Sequence, residues 1–296
     1  MMDIFRFGFK AMGCGCEVVA SCSGKGLALS AAEAAIKEIA RIENKYSRYS
    51  SESVVSRINA QAGVERVACD AETMVLLDYA TRLFRQSGGL FDATSGVLRR
   101  AWDFNKSELP SKTTLDRLLK LVGWNKVECD GRFVRFQRKG MQIDFGGFCK
   151  EYAADCAAQV LHGKGIRHGY VNMSGDIRVV GARPDGEPWT VGVRDPRITD
   201  RMFASIPLYG GALATSGDYE RYIEVDGRRY CHILNPHTGY PVGYWRSVTV
   251  VASSAIEAGS STTIAMLKGT DGHDYLSASG VTYLAVDKSG IIYRKS

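Results

Sequence analysis

Between residues 29 and 46, Ala32, Ala35, Ile39, Ile42 and Tyr46 recur at spacings of three and four. That is the stripe of an amphipathic helix with one buried face. The same period runs through AETMVLLDYATRLFRQSGG (71–89), where a Gly pair predicts the helix stop. It returns in LPSKTTLDRLLKLVG (109–123), in GGFCKEYAADCAAQVLHGKG (146–165) and in AGSSTTIAMLKG (258–269). A shorter helix closes at Asn59. The remaining apolar stretches are short and rich in β-branched residues. GFKAMGCGCEVVASCS (8–23) reads as one opening strand, and 127–145 as a hairpin around Asp130-Gly131 with a strand ending at Asp144. Strands dominate from residue 170 to 253, and 281–296 reads as a closing hairpin. LFDATSGVLRRAWDF (90–104) reads as a loop. Helices and strands mix without strict alternation, which predicts an α+β fold with mixed or antiparallel sheets flanked by helices, in a single domain spanning 1–296.

The polar positions add a question to this pattern. AIEAGSSTT (255–263) puts four hydroxyl residues, Ser260 to Thr263, at the predicted start of the last long helix. They form either a helix cap or the polar end of a phosphate and metal site. The one acid of the stretch, Glu257, precedes them.

Composition excludes several classes. With 45% apolar and 24% charged residues among 296, the chain has the balance of a globular protein. No run of 18 apolar residues predicts a membrane span. No apolar segment ahead of a small-residue cleavage site is visible, so a cytoplasmic location is expected, or a periplasmic one had a leader been removed. The net charge of +6 is scattered rather than blocked, which predicts no nucleic-acid face and suits an anionic small ligand. The eight cysteines include Cys14-x-Cys16, not a metal or redox C-x-x-C pair, and read as free thiols.

Three stretches could carry chemistry. In IDFGGFCKEYAAD (143–155) an acid and two glycines lead into a helix, where backbone N–H groups attract anions and Lys150 could meet a phosphate. In 214–242, Thr215-Ser216-Gly217 forms a polar turn, and His232 stands before the turn NPHTGYP. In GGLFDATSG (88–96), Asp92 and Thr94 read as a helix cap or as partners of a polar ring.

Taken together, AMGC, SRYSSESVVSRIN, GGLFDATSGVL, IDFGGFCKEYAAD, VNMSGDIRVVG, ATSGDYERY, CHILNPHTGYPV and SVTVVASSAIEAGSSTTIAMLKG resemble the ApbE family of FAD:protein FMN transferases in order and spacing. The resemblance implies an α+β domain that holds FAD in a cleft and moves its FMN half to a Thr or Ser hydroxyl of an acceptor flavoprotein, releasing AMP with the help of Mg²⁺. By motif match, Met12 and Tyr49 would flank the flavin, and Leu90, Phe91 and Asp92 would line the nucleotide. Asp144, Lys150 and Ile233 would contact FAD, and His232 would take the acceptor's proton. The metal would rest on Thr263, the carbonyl of Gly147 and the position of Gly259.

At that last position the family carries an Asp. Ser174, Cys231 and Asn235 depart from the family pattern as well. Three readings follow from Gly259: Glu257 reaches the metal instead, the metal is held weakly, or the protein binds FAD with transfer lost or altered.

Overall fold

The computed structural model describes residues 2–198 and 200–295. Its strands are β1 (Asp3–Ala11), β2 (Cys14–Cys22), β3 (Val67–Ala68), β4 (Val127–Cys129), β5 (Phe133–Phe136), β6 (His168–Met173), β7 (Asp176–Gly181), β8 (Trp189–Arg194), β9 (Met202–Leu208), β10 (Ala212–Gly217), β11 (Tyr222–Val225), β12 (Arg228–Cys231), β13 (Trp245–Ala252), β14 (Thr282–Asp287) and β15 (Ile292–Lys295). Its α-helices are α1 (Lys25–Tyr46), α2 (Val54–Ala60), α3 (Ala71–Gln86), α4 (Lys112–Leu119), α5 (Cys149–Gly163), α6 (Ala255–Lys268) and α7 (Gly272–Ser279). Eight strands form one antiparallel sheet in the order β1-β2-β6-β7-β10-β13-β14-β15. The fold is α+β.

Both faces of the sheet's centre are covered, which explains why the central strands do not alternate cleanly in sequence. Cys16, Val18 and Ala20 of β2 and Ala212 and Ala214 of β10 pack into the main core with α1, α5 and α6. Val19 and Leu213, on the same strands, point the other way and pack with Trp189 and Leu208 of the β8–β9 hairpin. A smaller cluster joins Trp102, Leu115 and Leu118 to Ile223 and Leu234. Among the described residues no helix is long and apolar enough to cross a membrane.

Four local expectations change. The opening strand is a hairpin, because Met12 and Gly13 both take positive φ (50° and 75°) and reverse the chain between β1 and β2. Residues 93–100 form a 3₁₀ helix rather than a loop, capped by Asp92, whose Oδ1 accepts from the Thr94 N–H at 2.8 Å. No strand ends at Asp144. Instead 141–145 belongs to no strand: the Asn59 side chain accepts from the Ile143 N–H (2.7 Å) and donates to its carbonyl (3.0 Å), and the Asp144 N–H donates to the Ala93 carbonyl at 2.9 Å. Finally, α6 begins at Ala255, so the four hydroxyls lie inside the helix rather than at its start.

Candidate functional site

A cavity of about 700 Å³ opens where the β1–β2 and β6–β7 turns, β8, the end of β10, the 3₁₀ segment, the start of α5 and the second half of α6 converge. Ten of the twelve residues expected at a site line it: Met12, Leu90, Phe91, Asp92, Asp144, Gly147, Lys150, His232, Ile233 and Thr263. Two do not. Tyr49 is 79% exposed and lies over the Arg48 guanidinium, outside the wall. Gly259 is buried in α6 behind the Glu151 side chain.

Several of these side chains are occupied by the fold. Asp92 accepts from Thr94 through Oδ1 and from the Trp124 N–H through Oδ2 at 2.9 Å, so both oxygens brace the 3₁₀ helix. Burial pushes its carboxyl up. Asp144 accepts from the Gly146 N–H at 2.9 Å and pairs with Arg48 at 2.9 Å and Arg99 at 3.8 Å. Gly96 has to be glycine, because a Cβ there would lie 2.5 Å from the Asp144 Cβ. Gly147 lies close to Phe91 in the same way: its Cβ would meet the ring at 2.9 Å.

One side of the cavity is cationic. Burial first, then Arg99, with Arg221 and Lys150 adding to it, pushes His232 down to about 4. Its Nδ1 lies 3.2 Å from the Arg221 carbonyl. A carbonyl can only accept, so the proton of the neutral ring sits on Nδ1 and Nε2 carries the basic lone pair. Beside it, Arg99 is itself pushed down by burial.

The cavity floor is oxygen-rich. Lys150 Nζ pairs with Asp176 Oδ2 at 2.5 Å, and Asp176 Oδ1 also accepts from the Thr215 N–H at 3.2 Å. Glu151, on the next position of α5, is 8% exposed, and its Oε2 has no hydrogen-bond partner. Burial, followed by the Asp176 charge, pushes its carboxyl up. The four hydroxyls of α6 divide by role. Ser260 accepts from Tyr79 Oη at 3.0 Å, and Ser261 is buried. Thr262 bonds Ser216 and the Gly259 carbonyl, both at 2.8 Å. Only Thr263 lines the cavity. The N-terminus of α6 is also taken, since Asp155 accepts from the Ala255 and Ile256 N–H groups at 2.9 Å each.

Of the other departures from the family pattern, Asn235 and Cys231 have local explanations and Ser174 has none. Asn235 Oδ1 accepts from the His237 and Thr238 N–H groups and closes the NPHTGYP turn. Cys231 is buried with its thiol on the Val242 carbonyl at 3.3 Å. Ser174 takes φ +58° in the β6–β7 turn. The Cys14 and Cys16 sulfurs lie 3.6 Å apart. Among the described residues no three His, Cys, Asp or Glu side chains gather as a metal centre.

Sequence reasoning missed Glu151, Asp176, Arg99 and the β8 wall. Glu151 and Asp176 both fell inside quoted motifs. Their importance comes from α5 packing against both α6 and β7, which spacing along one segment does not encode.

The profile of the ApbE family matches residues 12–285. The chain is 30% identical over 236 residues to the FAD:protein FMN transferase of Vibrio cholerae, covering 78% of this chain and 71% of that protein. It is 27% identical over 257 residues to the Salmonella typhimurium protein of the same name, covering 82% and 73%. In structure it matches the ApbE protein of Thermotoga maritima with a TM-score of 0.92 at 34% identity, over 99% of this chain and 97% of that one. The flavin transferase ApbE of Vibrio cholerae superposes with a TM-score of 0.88 at 25% identity, over 100% and 98%.

Proposed function

Because the chain belongs to the ApbE family, we propose that it is an FAD:protein FMN transferase whose cavity takes FAD as substrate. The acceptor would be a Thr or Ser hydroxyl of a flavoprotein. The hydroxyl oxygen forms a bond to the FMN-side phosphorus, the bond from that phosphorus to the bridging oxygen breaks, and AMP leaves with that oxygen. The hydroxyl proton goes to a base.

The observation that carries this reading is the cationic side of the cavity, where burial first, and then Arg99 with Arg221 and Lys150, hold His232 unprotonated. A pyrophosphate would add negative charge beside these cations, of which Lys150 is paired with Asp176 and Arg99 with Asp144. Transfer at phosphorus is catalysed mainly by positioning and charge neutralisation. Lys150 and Arg99 do that here, while Asp144 fixes Arg99 and Arg48. His232 Nε2 is the basic nitrogen available to the acceptor hydroxyl. Met12, Leu90, Phe91 and Ile233 supply apolar wall for rings. The exposed Tyr49 would reach a flavin only from outside that wall.

Mg²⁺ fits the floor. A hard cation takes oxygen ligands and keeps waters and phosphates in its shell, so few protein donors suffice. The Thr263 hydroxyl, the Gly147 carbonyl and an unpartnered buried carboxylate oxygen are donors of that kind. The ion would neutralise phosphate charge.

The test incubates the protein with FAD, Mg²⁺ and an acceptor flavoprotein. Flavin fluorescence that survives a denaturing gel on the acceptor, with one AMP per flavin attached, supports the reading. AMP and free FMN in equal amounts would make water the acceptor. FAD left intact would rule out pyrophosphate chemistry.

A further inference from the structure

Gly259 lacks a side chain, yet the space beside it is filled. A Cβ built on Gly259 would lie 2.6 Å from Cγ, 2.8 Å from Cδ and 2.8 Å from Oε1 of Glu151. All three distances are shorter than real Cβ contacts allow. The Glu151 carboxylate, delivered from α5, therefore occupies the volume in which a side chain on α6 at position 259 would begin. Residues 259 and 263 are one helical turn apart on one face of α6, so this carboxylate stands one turn from Thr263. It also stands four residues after Gly147, at the start of α5.

Two further observations point to a ligand. Glu151 is buried, and its Oε2 has no hydrogen-bond partner. Leaving a buried carboxyl oxygen bare is unfavourable unless something binds it. The nearby ammonium of Lys150 is held by Asp176 at 2.5 Å. Glu151 lines the cavity together with Thr263, Gly147 and Asp176.

We infer that Glu151 is the cation-binding carboxylate of this site, and that Gly259 is glycine because Glu151 needs its space. This rests on the proposed reading of the cavity as an FAD and Mg²⁺ site. It replaces the expectation that position 259 itself faces the ion, and it removes the need for Glu257, whose carboxylate accepts from Ser253 Oγ at 2.7 Å outside the cavity lining. It also takes away the ground for a lost activity, since the carboxylate absent from α6 is present from α5. Restoring an Asp alone should fail: Gly259→Asp forces overlap with Glu151, so the variant melts lower and gains no metal affinity.

The experiment measures Mn²⁺ binding to FAD-saturated full-length protein by loss of the free-ion electron spin resonance signal. FAD binding is measured separately in EDTA by calorimetry. Glu151→Gln is expected to bind Mn²⁺ at least tenfold more weakly while holding FAD in EDTA as the wild type does. Its melting temperature in EDTA should equal or exceed the wild type's, because an uncharged amide replaces a carboxyl whose ionised form burial disfavours. The double variant Glu151→Gly with Gly259→Asp, which moves the carboxylate to the other helix, should recover Mn²⁺ affinity to within about threefold. Wild-type Mn²⁺ affinity in Glu151→Gln would overturn the assignment. So would a melting temperature in EDTA well below wild type, which would make Glu151 structural. A wild-type protein that takes up no FAD in either buffer would instead overturn the underlying reading of the cavity.

Discussion

Ser174 holds a left-handed backbone conformation, φ +58°, in the turn from β6 to β7. A side chain at such a position is strained by about 1 kcal/mol or more, and glycine relieves it. Ser174→Gly should therefore raise stability by about 1 kcal/mol, read from chemical denaturation. His232 offers a second test. Free, it is pushed down to about 4 by burial and by Arg99, with Arg221 and Lys150 contributing. A bound pyrophosphate opposes those cations, so the imidazole's pKa rises in the complex. Between the two values FAD binding then takes up a proton. Calorimetry at pH 5 in buffers of different ionisation enthalpy should detect that uptake, and His232→Gln should abolish it. An equal enthalpy in all buffers would separate His232 from the phosphates. At this scale the sequence was informative where one motif carried one residue, as with His232, Lys150 and Thr263. It did not show what fills the space beside Gly259, because Glu151 lies 108 positions earlier in the chain and only the packing of α5 on α6 joins them.

Elements were legible where one periodic face meets one core. Helices α1, α3 and α5 follow their apolar stripes, and the 127–145 hairpin turns at Gly131. The misreadings arose where side chains stand in for backbone partners. Asn59 bonds both backbone groups of Ile143, Asp92 winds 93–100 into a 3₁₀ helix, and Asp155 caps α6 from outside it. A similar long-range contact ties three helices. Glu72 at the start of α3 accepts from Arg41 (2.6 and 2.9 Å) and Lys45 (2.5 Å) of α1, and from Tyr152 of α5 (2.9 Å). The Arg41 guanidinium is the chief cause that holds its carboxyl down at about 2, below the ordinary 4.5. The sign follows: this contribution is full above pH 4.5 and is lost as pH falls toward 2. Glu72→Gln should cost about 1 kcal/mol at pH 7, the group being partly exposed. The gap from wild type should close by pH 2. A gap that persists there would mean the loss is one of packing rather than charge.

The whole molecule follows from a sheet covered on both faces. Central strands buried on both sides leave their turns and ends, together with the start of α5 and the second half of α6, free to build the cavity. The α+β class was readable from the mixture of helical and strand periods. The order of eight strands was not, because it depends on pairings such as β2 with β6 and β7 with β10, across long intervening stretches. The net charge of +6 suits an anionic substrate, and inside the cavity it becomes specific: cations around His232 on one side, oxygen donors on the floor.

That division of labour is tested most directly by titrating the full-length protein with FAD in a calorimeter, once in Mg²⁺ and once in EDTA. The account predicts binding in both buffers, tighter by tenfold or more with Mg²⁺. Equal affinity in the two would contradict the cation site on the floor, and absence of binding in both would contradict the cavity as an FAD site.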